Sequence, residues 1–235
     1  QNYEEAVKWY KLSAEQGNTN AQTNLGLKYD TGEGVALDSF EANKWFRKAA
    51  EKGNSLAQYN LGLAHYYGKG SASIDYIKAL KWYKLSAEQG FDRAQFKLGL
   101  MYKSGAGAAQ NYEEAAKWYR LSAEQGNAYA QANLGSLYMQ GLGVETNIDE
   151  SFKWYKLSAE QGNPAGQVGL GAKYLAGEGV NQNYILAYKW FLLGEASGHE
   201  MALRAMKMTE AEMTTEQIAE AQKLARGWME EQGKE

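Results

Sequence analysis

Five Gly-x-Gly tripeptides are the residues most suggestive of chemistry in this sequence, because glycine-rich loops can cradle phosphate groups. They are Gly32/Gly34, Gly68/Gly70, Gly105/Gly107, Gly141/Gly143 and Gly177/Gly179. A dinucleotide site needs such a loop directly after a β-strand, and a P-loop needs Lys followed by Ser or Thr. Neither context is present, so we interpret these pairs as turns in which glycine adopts a left-handed backbone conformation.

Histidine, serine and glutamate are the other residue types that could support catalysis. The two histidines, His65 and His199, are far apart in sequence, and there is no cysteine. A metal site needs several converging ligands, and a nucleophilic triad needs a histidine beside its nucleophile. The recurring serines and glutamates have no such partner and lie in segments with helical periodicity. They are Ser13, Ser86, Ser122 and Ser158, and Glu15, Glu51, Glu88, Glu124 and Glu160. We predict no catalytic residue, no metal site and no cofactor.

Composition excludes two classes of partner. The formal net charge of the 235 residues is −3, whereas nucleic-acid-binding domains usually carry a basic patch or stripe. No apolar run reaches the roughly 18 residues of a membrane span. The chain begins at Gln1 without a methionine and partway through a repeat. We therefore expect it to be processed or cut from a longer protein.

The elements that position these residues follow from a sequence repeat. Six tryptophans recur at intervals of 36 or 37 residues: Trp9, Trp45, Trp82, Trp118, Trp154 and Trp190. A period of this size is typical of stacked helical repeats, and large aromatic residues at one recurring position indicate a core role. Each unit is predicted to contain two helices, the first from Asn18 to about Thr31 and the second from about Ser39 to Lys52.

Helix signals mark the ends of these segments. Asparagine or aspartate precedes each Trp-containing helix, as expected for N-caps, and glycine follows each one, as expected for left-handed C-termini. The caps are Asn2, Asp38, Asp75, Asn111, Asn147 and Asn183. The glycines are Gly17, Gly53, Gly90, Gly126, Gly162 and Gly198. Glutamate three residues after four of the caps, as in Asn111 and Glu114, suggests capping boxes.

The repeated phrase reads Ala21-Gln22-x-x-Leu25-Gly26-x-x-Tyr29, then Gly32-x-Gly34, then Ala42-x-x-Trp45-Phe46-x-x-Ala49-Ala50-Glu51-x-Gly53. This phrase resembles the Sel1-like repeat, a relative of the tetratricopeptide repeat. The resemblance implies an all-α fold, a right-handed α-solenoid of antiparallel helix pairs, and a bacterial origin. It also implies a role as an interaction scaffold, and a periplasmic or secreted location is favoured over a cytoplasmic one.

The predicted domain organisation is a repeat array over residues 1–208 followed by a C-terminal capping helix over 209–235. The array comprises half-unit 1–17, full units 18–53, 54–90, 91–126, 127–162 and 163–198, and terminal half-unit 199–208. In the C-terminal segment, Thr214 and Gln217 can form a capping box. Apolar residues then follow at helical spacing, and repeat arrays need such a cap at their ends.

Residues that do not repeat are the candidates for partner binding. By resemblance to the tetratricopeptide groove, the concave surface is lined by fixed positions of each first helix, and units two and three carry aromatic residues and cations there. The predicted partner-binding residues are Leu56, Tyr59, Leu63, Tyr66, Tyr67, Arg93, Phe96, Leu100, Lys103, Tyr129 and Met139. The alternative is that these side chains pack between units. The fifth unit carries only small residues and looks unremarkable.

Three hypotheses about function remain at this point. The leading one is a non-enzymatic adaptor that holds a peptide or protein segment in its concave groove. Aromatic residues with arginine are typical of binding hot spots, and Arg93 and Lys103 favour an acidic or carboxylate feature. The second is an envelope enzyme acting on peptidoglycan or β-lactams, and the third is a passive spacer of a longer protein. The sequence leaves the partner and the oligomeric state open.

Overall fold

The computed structural model describes residues 2–70 and 73–233, and within them the secondary structure is entirely α-helical. The helices are α1 (Tyr3–Glu15), α2 (Thr19–Thr31), α3 (Ser39–Ala50), α4 (Ser55–Tyr67), α5 (Tyr76–Glu88), α6 (Asp92–Ser104), α7 (Tyr112–Glu124), α8 (Ala128–Gln140), α9 (Ile148–Glu160), α10 (Pro164–Ala176), α11 (Tyr184–Ala196), α12 (Glu200–Glu210) and α13 (Thr215–Gln232). We call α2, α4, α6, α8, α10 and α12 the A helices. The B helices, which carry the recurring tryptophans, are α1, α3, α5, α7, α9 and α11.

The chain forms two compact units, residues 1–118 and 119–235. In each, an A helix packs closely against the B helix that follows it. Ser86, near the end of α5, donates a 2.7 Å hydrogen bond to the carbonyl oxygen of Ser55 at the start of α4. Ser158 of α9 makes the same bond to Ala128 of α8. Each bond joins the end of one helix to the start of the other, so the pairs are antiparallel, as predicted.

The predicted N-caps of the B helices are confirmed. For example, the Asn147 side chain accepts a 2.9 Å hydrogen bond from the backbone N–H of Glu150. The same bond forms at Asn2, Asp38, Asp75, Asn111 and Asn183. These bonds satisfy amides that a helix start leaves without a partner.

The capping boxes expected at Asp38, Asn111 and Asn147 are wrong, because the backbone N–H of each cap donates instead to a tyrosine carbonyl oxygen of the preceding A helix. Glu114 and Glu150 accept hydrogen bonds from the indole N–H of Trp118 (3.1 Å) and Trp154 (2.8 Å), one helical turn later. The indole donates only through this N–H, and the neighbouring carboxylate satisfies it. The capping box predicted for Thr214 and Gln217 is present at the start of α13.

The glycines predicted to form turns all have positive φ angles. The first glycine of each Gly-x-Gly pair ends an A helix, as Gly105 does for α6 with φ 76°. The second permits close approach to an earlier B helix. A Cβ atom on Gly107 would lie 2.3 Å from the carbonyl oxygen of Tyr76. The five pairs therefore shape turns, as predicted.

The buried tryptophan of a B helix packs against the two helices that precede that B helix in the sequence. Trp45 is 6% exposed and packs with Ala14, Ala21 and Leu25, which belong to α1 and α2. The core role is confirmed for Trp45, Trp118, Trp154 and Trp190. It is wrong for Trp9, which is 65% exposed, because no described helix lies against its outer face.

Hydrogen bonds between a buried and an exposed glutamine were not anticipated from the sequence. Gln58 of α4 donates to the Ala50 carbonyl at the end of α3, and its own oxygen accepts a 2.7 Å bond from Gln89. Gln131 and Gln161 repeat this arrangement in the second unit. Gln58 and Gln131 thereby give a helix-end carbonyl a second hydrogen bond, beside the one that it accepts from the backbone N–H of the following glycine. Alanine and leucine patterns reveal the apolar stripe, but the partners of a buried amide depend on the packed structure.

Candidate protein-binding surfaces

An aromatic cluster lies on α4, on α5 and at the N-cap of α6 in the first unit, where the sequence placed the main anchor. Tyr59 lies 5.8 Å from Tyr83 and 5.2 Å from Phe91, measured between ring centroids. Tyr66 lies 4.9 Å from Tyr67 and 5.1 Å from Tyr76. Aromatic pairs at these separations are favourable beyond their buried area. We call these six residues the tyrosine cluster.

Part of this cluster has a packing role. Tyr59, Leu63 and Tyr66 are half-buried against a core that includes Tyr83, Leu98 and Trp118. Burial raises the pKa of the Tyr59 hydroxyl, and the nearby charge of Arg93 opposes that shift. The other half-buried candidates are Leu56, Phe96, Leu100 and Lys103. These positions contribute to the stack as well as to any binding surface, because an A helix shares its flanks with neighbouring helices.

Tyr67 and Arg93 are the most accessible of the predicted residues in the first unit. Tyr67 is 54% exposed, and its ring rests edge-on against Tyr66. The Lys97 ammonium group lies 6.0 Å from the Tyr67 ring centroid. Arg93, one helical turn before Lys97 near the start of α6, is exposed. An ordered aromatic ring beside cationic groups can receive an acidic or aromatic side chain of a partner.

Sequence reasoning missed Phe91, Lys97 and Tyr76. Phe91 occupies the cap position that is asparagine in four other repeats, and α6 has no side-chain cap. Losing such a cap costs about 1 kcal/mol, and the Phe91 ring instead packs on Tyr59. An aromatic residue at a capping position was a visible signal in the sequence. The position of Lys97 relative to Tyr67 was not visible, because it depends on how α4 and α6 sit.

Tyr83→Phe is expected to raise the free energy of unfolding by up to about 1 kcal/mol, because a buried polar group without a hydrogen bond is destabilising. The Tyr83 hydroxyl is buried without a hydrogen-bond partner, and burial raises its pKa. Urea denaturation followed by circular dichroism would measure the change. Tyr155→Phe is the matched control, since its hydroxyl is hydrogen-bonded to Ser136 and should lose about 1 kcal/mol. A destabilised Tyr83→Phe protein would contradict this prediction.

The second unit contains a cavity on the corresponding face of its A helices. It has a volume of about 380 Å³ and is lined by Ala132, Asn133, Ser136, Met139, Tyr155, Ala165, Val168, Gly169, Ala172, His199 and Met201. The predicted residue Met139 lines it, and Tyr129 is exposed near the start of α8. The fifth unit, which looked unremarkable in sequence, therefore forms much of an apolar pocket, because small side chains leave space between helices.

The side chain of His65 has a packing role. His65 is buried at the recurring tyrosine position, and burial lowers its pKa, so the imidazole is packed and neutral at pH 7. Within residues 2–70 and 73–233, no group of three His, Cys, Asp or Glu side chains is arranged to hold a metal. No described helix combines the length and hydrophobicity needed to cross a bilayer.

Comparison with known proteins identifies the repeat. The Sel1 repeat pattern matches residues 1–18, 19–54, 55–91, 92–127, 128–163 and 164–199. Among curated proteins, none matches this sequence.

Solved structures agree with this match. A Sel1 repeat protein from Oxalobacter formigenes is 33% identical over 97% of this chain and 90% of its own, with a TM-score of 0.83. The protein c5321, a protective antigen present in uropathogenic Escherichia coli strains, is also 33% identical and covers 97% of this chain, with a TM-score of 0.65. This chain spans 57% of c5321.

A more distant structure shares the fold alone. Immunity protein Pa5087 from Pseudomonas aeruginosa is 20% identical over 85% of this chain and 76% of its own, with a TM-score of 0.51. These similar proteins are bacterial, in agreement with the origin implied by the repeat. The packed helix pairs, the matched repeats and the 33% identical structures together place this chain in the Sel1 repeat family, whose fold is an all-α solenoid.

Proposed function

We propose that this protein is a non-enzymatic scaffold that binds a peptide or protein segment along the exposed face of its A helices, with the main anchor at the tyrosine cluster. Sel1 repeat proteins are typically protein-interaction scaffolds. The observation that carries the finer proposal is exposed Tyr67, supported by Tyr66 and adjacent to Lys97. An aromatic ring held by its neighbours loses little entropy on binding, which is why tyrosine is common in hot spots.

The charges on this face favour an acidic partner segment. Arg93 and Lys97 both lie on α6, and Arg93 is exposed while Lys97 approaches the Tyr67 ring. Guanidinium groups bind carboxylates through paired hydrogen bonds. We therefore expect the partner to place an aromatic or aliphatic side chain on Tyr67, and an acidic side chain or a terminal carboxylate near Arg93.

A binding role also fits the residues that first suggested catalysis. Ser86 and Ser158 donate to carbonyl oxygens of A helices, and Glu88 and Glu160 lie 3.9 Å from the ammonium groups of Lys84 and Lys156. These side chains are occupied in contacts within their own repeats. We accordingly propose a scaffold in preference to an enzyme acting on peptidoglycan or β-lactams.

Affinity capture with two variants tests this proposal. Each variant replaces one exposed aromatic residue and one exposed arginine. Tyr67→Ala/Arg93→Ala removes the proposed anchor without touching the packed residues Tyr59 and Leu63. Phe40→Ala/Arg47→Ala removes an exposed aromatic ring and an exposed arginine from B helix α3. A protein captured by the wild type should bind the first variant about 30-fold more weakly or worse, which is the hot-spot range. The second variant should bind it as tightly as the wild type does.

A third variant separates the two candidate surfaces. Ala172→Trp places a large ring at the cavity of the second unit, where Ala172 is exposed. A partner lost only from Ala172→Trp would move the binding site to that cavity. A partner retained by both the Tyr67/Arg93 and Ala172 variants would contradict binding along the A helices, and capture of nothing would favour a spacer.

A periplasmic or secreted location is part of the proposal. The 33% identical c5321 is a protective antigen, which is compatible with exposure outside the cytoplasm. Capture is therefore run separately on the periplasmic, secreted and cytoplasmic fractions. A Tyr67-dependent partner found only in the cytoplasmic fraction would contradict this location.

A further inference from the structure

The last A helix, α12, exposes a face that is covered in the complete repeats. In the preceding repeat, a Cβ atom on Gly171 would lie 2.6 Å from the Phe191 ring, so α10 and B helix α11 are in close contact there. The residue 36 positions later is Lys207, and Gln167 is likewise followed by Leu203. Lysine at the glycine position prevents the close approach of an aromatic residue from a B helix.

The described residues 2–70 and 73–233 leave this face exposed. Helix α13 packs against α11, where Trp228 lies 6.1 Å from Trp190. On α12, Leu203 is 50% exposed and Met208 is 62% exposed. A shallow depression of about 420 Å³ is lined by Glu200, Leu203, Arg204, Lys207 and Met208. We call these five residues the α12 face.

The charges on this face are complementary to those on the same face of a second copy of the protein. Glu200, Arg204 and Lys207 are exposed, and none forms an ion pair within the described parts of the chain. Glu200 and Lys207 are about two helical turns apart, with Leu203 and Arg204 between them. If two α12 helices pack antiparallel about a twofold axis through this centre, each Glu200 faces the Lys207 of the other copy. Each Leu203 then packs on the aliphatic part of an Arg204 side chain.

We infer that the α12 face is a self-association surface through which two copies of this protein form a symmetric dimer. Twofold interfaces are self-complementary by construction, and this pattern of opposite charges about an apolar centre meets that condition. The surface is the width of one short helix, so the contact falls below the size of stable interfaces and the dimer is weak. This inference does not depend on the tyrosine cluster.

Sedimentation velocity tests the dimer. The wild-type chain is expected to shift from monomer to dimer between about 10 and 1,000 µM, the range of a weak complex. Glu200→Lys alone and Lys207→Glu alone each create two like-charge contacts in the dimer. Each should weaken self-association by about tenfold or more, since opposed like charges in an interface are costly.

Mixing the two variants tests whether the α12 face binds a second copy of the protein. An equimolar mixture of Glu200→Lys and Lys207→Glu restores both attractive pairs, so a heterodimer should form although neither variant associates alone. The double variant Glu200→Lys/Lys207→Glu should also regain dimerisation. Glu220→Lys and Lys223→Glu on α13, both exposed in the wild type, are the matched controls and should behave like the wild type. Circular dichroism confirms that every variant is folded.

Two results would overturn the inference. A wild-type protein that remains monomeric throughout the concentration range does not use the α12 face for self-association. A dimer that survives both charge reversals, or a mixture that fails to restore it, is formed by another surface.

Discussion

Replacing Trp118 with alanine is expected to lower the free energy of unfolding by about 3–5 kcal/mol, the range for truncating a large buried side chain. Trp118 is 7% exposed and packs in one cluster with Tyr83, Leu98 and Met101. Its indole N–H is also bonded to Glu114. The substitution therefore removes a large apolar volume and one hydrogen bond from contacts that join successive helix pairs.

The matched control for this experiment is Trp228→Ala. Trp228 is half-buried on α13 and contacts Trp190 through one edge-to-face pair. Its loss should cost about 1–2 kcal/mol, because less surface is buried and only the capping helix depends on it. Urea denaturation monitored by circular dichroism measures both values. Equal losses would show that the distinction between a core tryptophan and a cap tryptophan is wrong.

Gly107→Ala should be a severe glycine substitution in the turns, with a loss of about 3 kcal/mol or more. A left-handed backbone costs a non-glycine residue about 1–2 kcal/mol, and Gly107 has φ 78°. The new Cβ would also lie 2.3 Å from the Tyr76 carbonyl oxygen and 2.6 Å from its carbonyl carbon. Backbone atoms cannot move aside as a flexible side chain can, so α5 and the turn after α6 must separate.

Gly90→Ala separates the cost of the left-handed backbone from the cost of a steric clash of the added Cβ atom. Gly90 has φ 87°, and an added Cβ would meet no atom within 4 Å. This variant should lose only about 1–2 kcal/mol, the cost of the left-handed conformation alone. Thermal and urea unfolding of the two variants give the comparison. If both proteins lost the same stability, close approach at the second glycine of the Gly-x-Gly pair would not be what requires glycine there.

Part of the proposed partner-binding surface could be predicted from the sequence. The surface positions of α4 and α6 could be named because a fixed period carries one position from repeat to repeat. Which of these residues pack in the core and which remain accessible could not be predicted, because Tyr59 and Tyr67 are the same residue type on the same helix. Tyr59 turns towards Tyr83 and Phe91, while Tyr67 lies beyond the neighbouring core. Only the positions of the adjacent helices distinguish them.

The sequence by itself determined the helix pairs, their boundaries within about two residues, their caps, the turns and the family. These features depend on local chemistry that repeats: an asparagine that caps a helix start, a glycine that accepts positive φ, and apolar residues three or four positions apart. The tertiary structure alone decided which tyrosines remain accessible and that the small residues of the fifth unit help to enclose a cavity. It also showed that Lys207 stands on an uncovered helix face. Accessibility is a property of contacts between distant segments, so no local pattern encodes it.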